Sequence, residues 1–186
     1  MKVVHIIPSA FRYFDDIRGK AFELVEELSD LGVETEAFTI QYGDTTRAIK
    51  SEVSGKAPSR KFMGNADLAR ALAGLGVGDI VHVHCPLFGA AGPVLRLKKN
   101  KPQIPLLATF YRPARLPDFF SLLIKFYNGY YLPKIFGAAD AIFSYAPAVH
   151  LTRWANKVQL IDIARPDSPR PIDFYSDFFN NPYARE

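Results

Sequence analysis

The chain is 186 residues long and holds one cysteine, two methionines and one tryptophan. A lone Cys85 excludes a disulfide framework and suits a reducing, cytoplasmic compartment. No run approaches the ~18–20 continuous apolar residues of a spanning helix. The N-terminus, Met1-Lys2-Val3-Val4-His5-Ile6-Ile7-Pro8, lacks a long apolar core and a cleavage site, so it reads as a first strand and not as a signal peptide. No P-loop, G-x-G-x-x-G, Ser-His-Asp order or pair of catalytic carboxylates stands out. No nucleic-acid-binding module is visible, and no nucleic-acid partner is expected. His5, His82, His84 and Cys85 fit no strong ligand spacing, so neither a metal nor another cofactor is expected.

What is present is an ordinary globular composition, 48% hydrophobic and 23% charged, at a length that suits one well-buried domain. The charge is unevenly placed. Residues 96–134 carry eight basic side chains against one acidic, while the flanking regions are each slightly acidic. The same stretch is rich in aromatics, among them Phe110, Tyr111, Phe126, Tyr127, Tyr130 and Tyr131. A basic and aromatic surface suits phosphates or an anionic membrane face. The plainer alternative is a core helix with a solvated basic side that carries Lys98, Lys99, Lys101, Lys125 and Lys134.

Periodicity alternates between strand and helix along most of the chain. Val3–Ile7 is a β-branched run. A helix follows from near Ile17, capped by Asp15 or Asp16, with Ile17, Ala21, Leu24, Val25, Leu28 and Leu31 on one side. Gly32 is expected to end it in the left-handed conformation. Further strands are expected at 33–40, 59–63, 79–84, 105–110, 139–144 and 157–163. Helices are expected at 66–75, 89–99, 118–136 and 148–155. This order predicts a single Rossmann-like, doubly wound parallel sheet flanked by helices over residues 1–163. Residues 164–186 form a tail rich in proline and aromatics, expected to dock on its own domain or on a partner.

The segment Asp79-Ile-Val-His-Val-His-Cys-Pro86 is the most informative. Its β-branched core marks a buried parallel strand, and its two histidines point to the same face. His84 lies nearest the carboxyl end, where open α/β sheets bind ligands.

Four segments carry a resemblance to the N-terminal domain of family-4-type glycosyltransferases of GT-B fold. These are the first strand with its helix Phe22-x-Leu-Val-x-x-Leu28 and the turn at Leu31-Gly32-Val33; Asp79-Ile-Val-His-Val-His84; Leu107-Ala-Thr-Phe-Tyr111; and Gly137-Ala-Ala-Asp-Ala-Ile142 with Ser144. The resemblance implies one half of a GT-B enzyme, which transfers sugar from a nucleotide donor without a metal. This half would hold the acceptor, a sugar or a lipid-linked glycan. The nucleotide sugar would be bound by a separate C-terminal half or partner subunit, since the given chain stops at Glu186 before such a domain. Polysaccharide biosynthesis at the inner membrane face is the implied setting.

The candidate acceptor residues are His84, Tyr111, Arg112 and Arg115. Arg18, Gly19 and Lys20 stand where the family places its phosphate-side glycines, and are candidates for phosphate binding. Tyr111 departs from the family's histidine after Thr-x. Its ordinary pKa near ~10 makes it a poor base, though it can donate a hydrogen bond or stack on a sugar. No catalytic residue is assigned. The alternatives are a catalytically silent, glycosyltransferase-like binding or scaffold domain, and an unrelated phosphate- or nucleotide-binding α/β module.

Overall fold

A computed structural model describes residues 2–8, 14–40, 59–63, 65–113, 119–146, 148–160, 171, 173 and 175. Seven parallel strands form one sheet: β1 (Lys2–Ile7), β2 (Glu34–Ile40), β3 (Ser59–Met63), β4 (Ile80–Cys85), β5 (Leu106–Phe110), β6 (Ala141–Ser144) and β7 (Val158–Leu160). Their order is β3-β2-β1-β4-β5-β6-β7. The helices are α1 (Asp15–Asp30), α2 (Asn65–Ala73), α3 (Ala91–Asn100) and α4 (Phe119–Ala138), with a 3-10 segment over Ala148–Lys157. This is the doubly wound α/β sheet the alternation predicts. The winding reverses between β1 and β4, so the carboxyl ends of those two strands flank the crevice where such sheets bind ligands.

Strand alternation sorts the core into two sides. Val4, Ile6, Val81, Val83, Cys85, Ala108 and Phe110 pack on the side of α2, α3 and α4. Val3, Ile80, Leu107 and Phe143 pack on the other side with Leu24 and Leu28 of α1. Tyr175 belongs to that second cluster and is 1% exposed; the rest of the 164–186 stretch, apart from residues 171 and 173, lies outside the described residues. Burying a ring of that size removes a large apolar area from water, a gain of about 2–3 kcal/mol.

Local chemistry fixes the element ends. Gly32 adopts φ +83, as its position after α1 predicts. Gly32 N–H donates to Ser29 C=O and Val33 N–H to Leu28 C=O, which satisfies carbonyls the helix leaves open. The start of α1 differs from expectation. Phe14 occupies the N-cap and no side chain caps it, while Asp15 and Asp16 lie in the first turn, favourable to the positive end of the helix dipole. The strand starts are tied by aspartates. Asp79 Oδ1 accepts from Lys2 N–H at 3.0 Å and its Oδ2 from Gly76 N–H at 2.9 Å. Asp140 Oδ2 accepts from Leu106 N–H at 2.8 Å and from Lys98 Nζ at 2.8 Å. Two acidic residues of the recognised segments therefore anchor neighbouring strands.

Candidate functional site

The register of β1 against β4 sets His5 beside His82. His84 follows one pleat further along β4, and β4 against β5 sets His84 beside Thr109. Tyr111 continues that face just past β5. His5, His82, His84 and Thr109 are all fully buried, and Tyr111 is 8% exposed. The sequence expectation that both β4 histidines share one face is met, with His5 as a third member. The three rings sit at the seam where the winding reverses.

They form two separate hydrogen-bonded sets, one through His5 and His84 and one through His82. His84 Nδ1 meets the Tyr111 hydroxyl at 2.9 Å, and His84 Nε2 meets His5 Nδ1 at 3.0 Å. His82 is bonded through Nδ1 to the Tyr175 hydroxyl and through Nε2 to Thr109 Oγ1, the latter at 2.7 Å. His5 Nε2 has no hydrogen-bond partner among the described residues. Burial holds the pKa of His5 down to about 3, and holds His82 and His84 well below the ordinary 6.5. All three are neutral imidazoles, each with one donor and one acceptor nitrogen.

That count orders the protons. A buried N–H left without an acceptor is rarer in folded proteins than a lone pair left without a donor. The favoured arrangement leaves the lone pair on His5 Nε2. His5 Nδ1–H then donates to His84 Nε2, and His84 Nδ1–H donates to the Tyr111 oxygen. The Tyr111 hydroxyl hydrogen is thereby released from the chain. Burial raises the Tyr111 pKa well above its ordinary value, which keeps it protonated. The arrangement offers a neutral phenol donor at the sheet's carboxyl end. Its ring is stacked on Tyr145, 5.0 Å between centroids and 7° between planes.

The histidines are also the group among the described residues whose spacing could suit a metal, with one nitrogen from each within 4.8 Å of the others. Five of their six ring nitrogens are already hydrogen-bonded. The donor set includes no carboxylate to offset a buried dication. Cys85 does not join it, because strand alternation turns it to the opposite side, where burial raises its thiol pKa. The chemistry of the set favours hydrogen bonding over ligation.

The other candidates fall into place unequally. Arg112 pairs through Nε with Asp16 Oδ2 at 2.9 Å and through a second nitrogen with Asp16 Oδ1 at 3.2 Å. The Arg112 hydrogen bond is the largest cause holding the Asp16 pKa down. Arg18 pairs with Asp15 one turn away. Gly19 lies inside α1, past the open N–H groups of its first turn, so its N–H is committed to the helix ladder and is not presented to an anion. Lys20 Nζ stands 5.2 Å from the centre of the Tyr145 ring. Arg115 lies outside the described residues. The phosphate-side trio therefore forms no cradle, whereas Tyr111, Tyr145, Lys20 and the Arg112–Asp16 pair line one region.

The basic stretch also divides. Lys98 Nζ bonds Asp140 and the carbonyls of Pro102 and Ile104, and Lys101 Nζ bonds the carbonyls of Ala73 and Leu75. Those two lysines lock loops. Lys125 and Lys134 stay on α4, whose exposed side carries Leu122, Phe126 and Tyr130. Among the described residues, no helix is long and apolar enough to cross a membrane. Sequence reasoning missed Tyr175, Thr109 and Tyr145 as members of the site. Thr109 was reachable, since it lies one pleat before Tyr111.

No family model matches the chain, and no curated protein matches it. Solved structures do. The chain is similar to an α-glucosyltransferase in complex with UDP and a 13-mer DNA containing a HMU base, at 15% identity and a TM-score of 0.56, over 87% of this chain and 42% of that one. It is similar to an α-glucosyltransferase in complex with UDP, at 16% identity and a TM-score of 0.55, over 91% and 42%. A complex of such an enzyme with UDP-glucose and DNA containing an abasic site matches at 16% identity and a TM-score of 0.54, over 91% and 41%. The chain thus spans about two fifths of these structures. It has the α/β fold of one half of a GT-B glycosyltransferase.

Proposed function

We propose that this chain is the acceptor-side half of a family-4-type glycosyltransferase, acting with a separate nucleotide-sugar-binding half. The observation that carries the reading is the likeness over 87% of this chain and 42% of a UDP-bound α-glucosyltransferase, set beside the four sequence segments that resemble an N-terminal GT-B domain. The acceptor is a sugar or lipid-linked glycan, and it lies against Tyr111 and Arg112 at the β1–β4 crevice. The Tyr111 hydroxyl donates to an acceptor oxygen, and the half-buried Tyr145 ring that stacks on Tyr111 contacts the sugar. The apolar side of α4 with Lys125 and Lys134 rests on an anionic membrane surface at the cytoplasmic side. Residues 1–163 form the domain, and the tail is its brace.

Calorimetry tests the reading. Acceptor glycans are expected to bind the purified chain, UDP-glucose is expected to bind weakly or not at all, and the chain alone is expected to show no turnover. Tight UDP-glucose binding without any glycan binding would overturn it. A parallel titration with DNA covers the DNA present in neighbouring structures.

A second reading is a catalytically silent relative used for binding. It is favoured by the complete burial of His84, which leaves that ring no contact with an acceptor. Glycan binding with no sugar transfer when a nucleotide-sugar-binding half is supplied would select it.

A further inference from the structure

On the side of the sheet away from the histidines, α4 and the 3-10 segment enclose an open cavity of about 270 Å³. Its walls include Phe110, Leu132, Phe136, Leu151 and Trp154. Lys125 also lines it, and α4 contains no acidic residue. Further along α4, Lys134 Nζ sits 3.5 Å over the Tyr130 ring, and Arg153 packs 5.9 Å from the Trp154 ring. The adjoining stripe of the helix exposes Leu122 at 65%, Phe126 at 74% and Tyr130 at 53%. A surface helix ordinarily turns charge outward along such a stripe. An apolar cavity with a cationic lip, beside a wet aromatic stripe, complements a chain of hydrocarbon that ends in an anion.

We propose that this cavity seats the alkyl or prenyl chain of a phosphate-headed amphiphile, with the phosphate at Lys125. The proposal deepens the reading of a lipid-linked acceptor and rests on it for the identity of the physiological headgroup.

The protein carries its own reporter. Trp154 is the single tryptophan of the chain and lines the cavity, so its emission reads occupancy. Dodecyl phosphate, titrated below its micelle concentration, is expected to change Trp154 emission saturably, with one molecule per chain by calorimetry. Dodecyl maltoside, with the same tail and a neutral head, is expected to bind about tenfold more weakly, and inorganic phosphate alone is expected to leave the emission unchanged. Gly129 also lines the cavity, and a Cβ added there meets nothing within 4 Å. Gly129→Leu is therefore expected to fold, to melt slightly higher because glycine is a poor helix former, and to abolish the dodecyl phosphate response. Lys125→Gln is expected to weaken dodecyl phosphate about tenfold at an unchanged melting temperature.

The proposal is overturned by the absence of a saturable response, by an equal response to phosphate alone, by equal affinity for the maltoside, or by unchanged binding to the Gly129→Leu protein. Its fate separates from that of the proposed function. If dodecyl phosphate binds while acceptor glycans and transfer both fail, the cavity stands and the enzyme reading falls. If dodecyl phosphate fails while the completed enzyme transfers sugar, the reverse holds.

Discussion

On the α1 side of the sheet, the strands present His5, His82, His84, Thr109 and Tyr111, and each is buried. On the α4 side they present aliphatic and aromatic residues, yet there a cavity of about 270 Å³ stays open beside Trp154. The residues with chemical capacity are enclosed by one another, and the open space is lined mostly by apolar residues, with Lys125 and Asn128 as polar members. The difference follows from satisfiability. Buried imidazoles need hydrogen-bond partners, and five of the six ring nitrogens find them, three at the Tyr111, Tyr175 and Thr109 hydroxyls that close the α1 side. Apolar walls carry no such demand, and a gap between them costs only lost contacts.

Acid breaks that comparison most strongly. The folded histidines bind fewer protons than unfolded ones, because their pKa values lie below the ordinary 6.5. Stability is therefore full above pH 6.5 and is lost as the pH falls from there toward 3. The slope is about 1.4 kcal/mol per pH unit for each histidine, approaching about 4 when all three take part. Urea denaturation at pH 7.5, 6.5 and 5.5 measures it, and a flat profile would show the cluster to be solvated. Next in size, Tyr175→Ala should destabilise by about 3–5 kcal/mol through the lost ring. Tyr175→Phe should cost about 1–3 kcal/mol, because His82 Nδ1 then lacks its partner. Tyr111→Phe should likewise cost about 1–3 kcal/mol, read in the same urea experiment, by leaving His84 Nδ1 unpaired.

On the α4 side the expected stability effects are small. Phe126→Ser, at an exposed position, should shift stability by less than about 0.5 kcal/mol. It should nevertheless lower flotation with anionic liposomes, and equal flotation by both proteins would remove α4 from the membrane contact. Smallest of all, zinc should leave the melting temperature unchanged. A rise of several degrees would turn the hydrogen-bonded histidines into ligands.

Much of the fold was legible because it is written locally. The β-branched runs of β1 and β4, the apolar spacing of α1 and the glycine after it each predict their own element. The shared face of His82 and His84 follows from the two-residue strand period. What was not legible depends on distant partners. Asp15 and Asp16 resembled caps until the fold brought Arg112 to Asp16 across 96 positions. Lys98 and Lys101 resembled a basic surface, but their amines reach carbonyls in loops that only the packed sheet brings near. Tyr175 lies 93 positions from His82, in a tail with no periodic pattern to place it. α1 begins at Asp15, two residues before the Ile17 that the apolar spacing marks, which sets Gly19 past the open N–H groups of the first turn.

The aspartates at the strand starts have a further consequence. Asp79 and Asp140 each fasten the beginning of one strand to the backbone beside it, all at the amino-terminal rim of the sheet. Alignment among β1, β4, β5 and β6 is set there, at the rim opposite the crevice. Loops at the far rim are consequently free to change length and composition without dragging the strands out of step. Such a scaffold can exchange one bound partner for another by rewriting a few loop residues, while its foundations stay as they are.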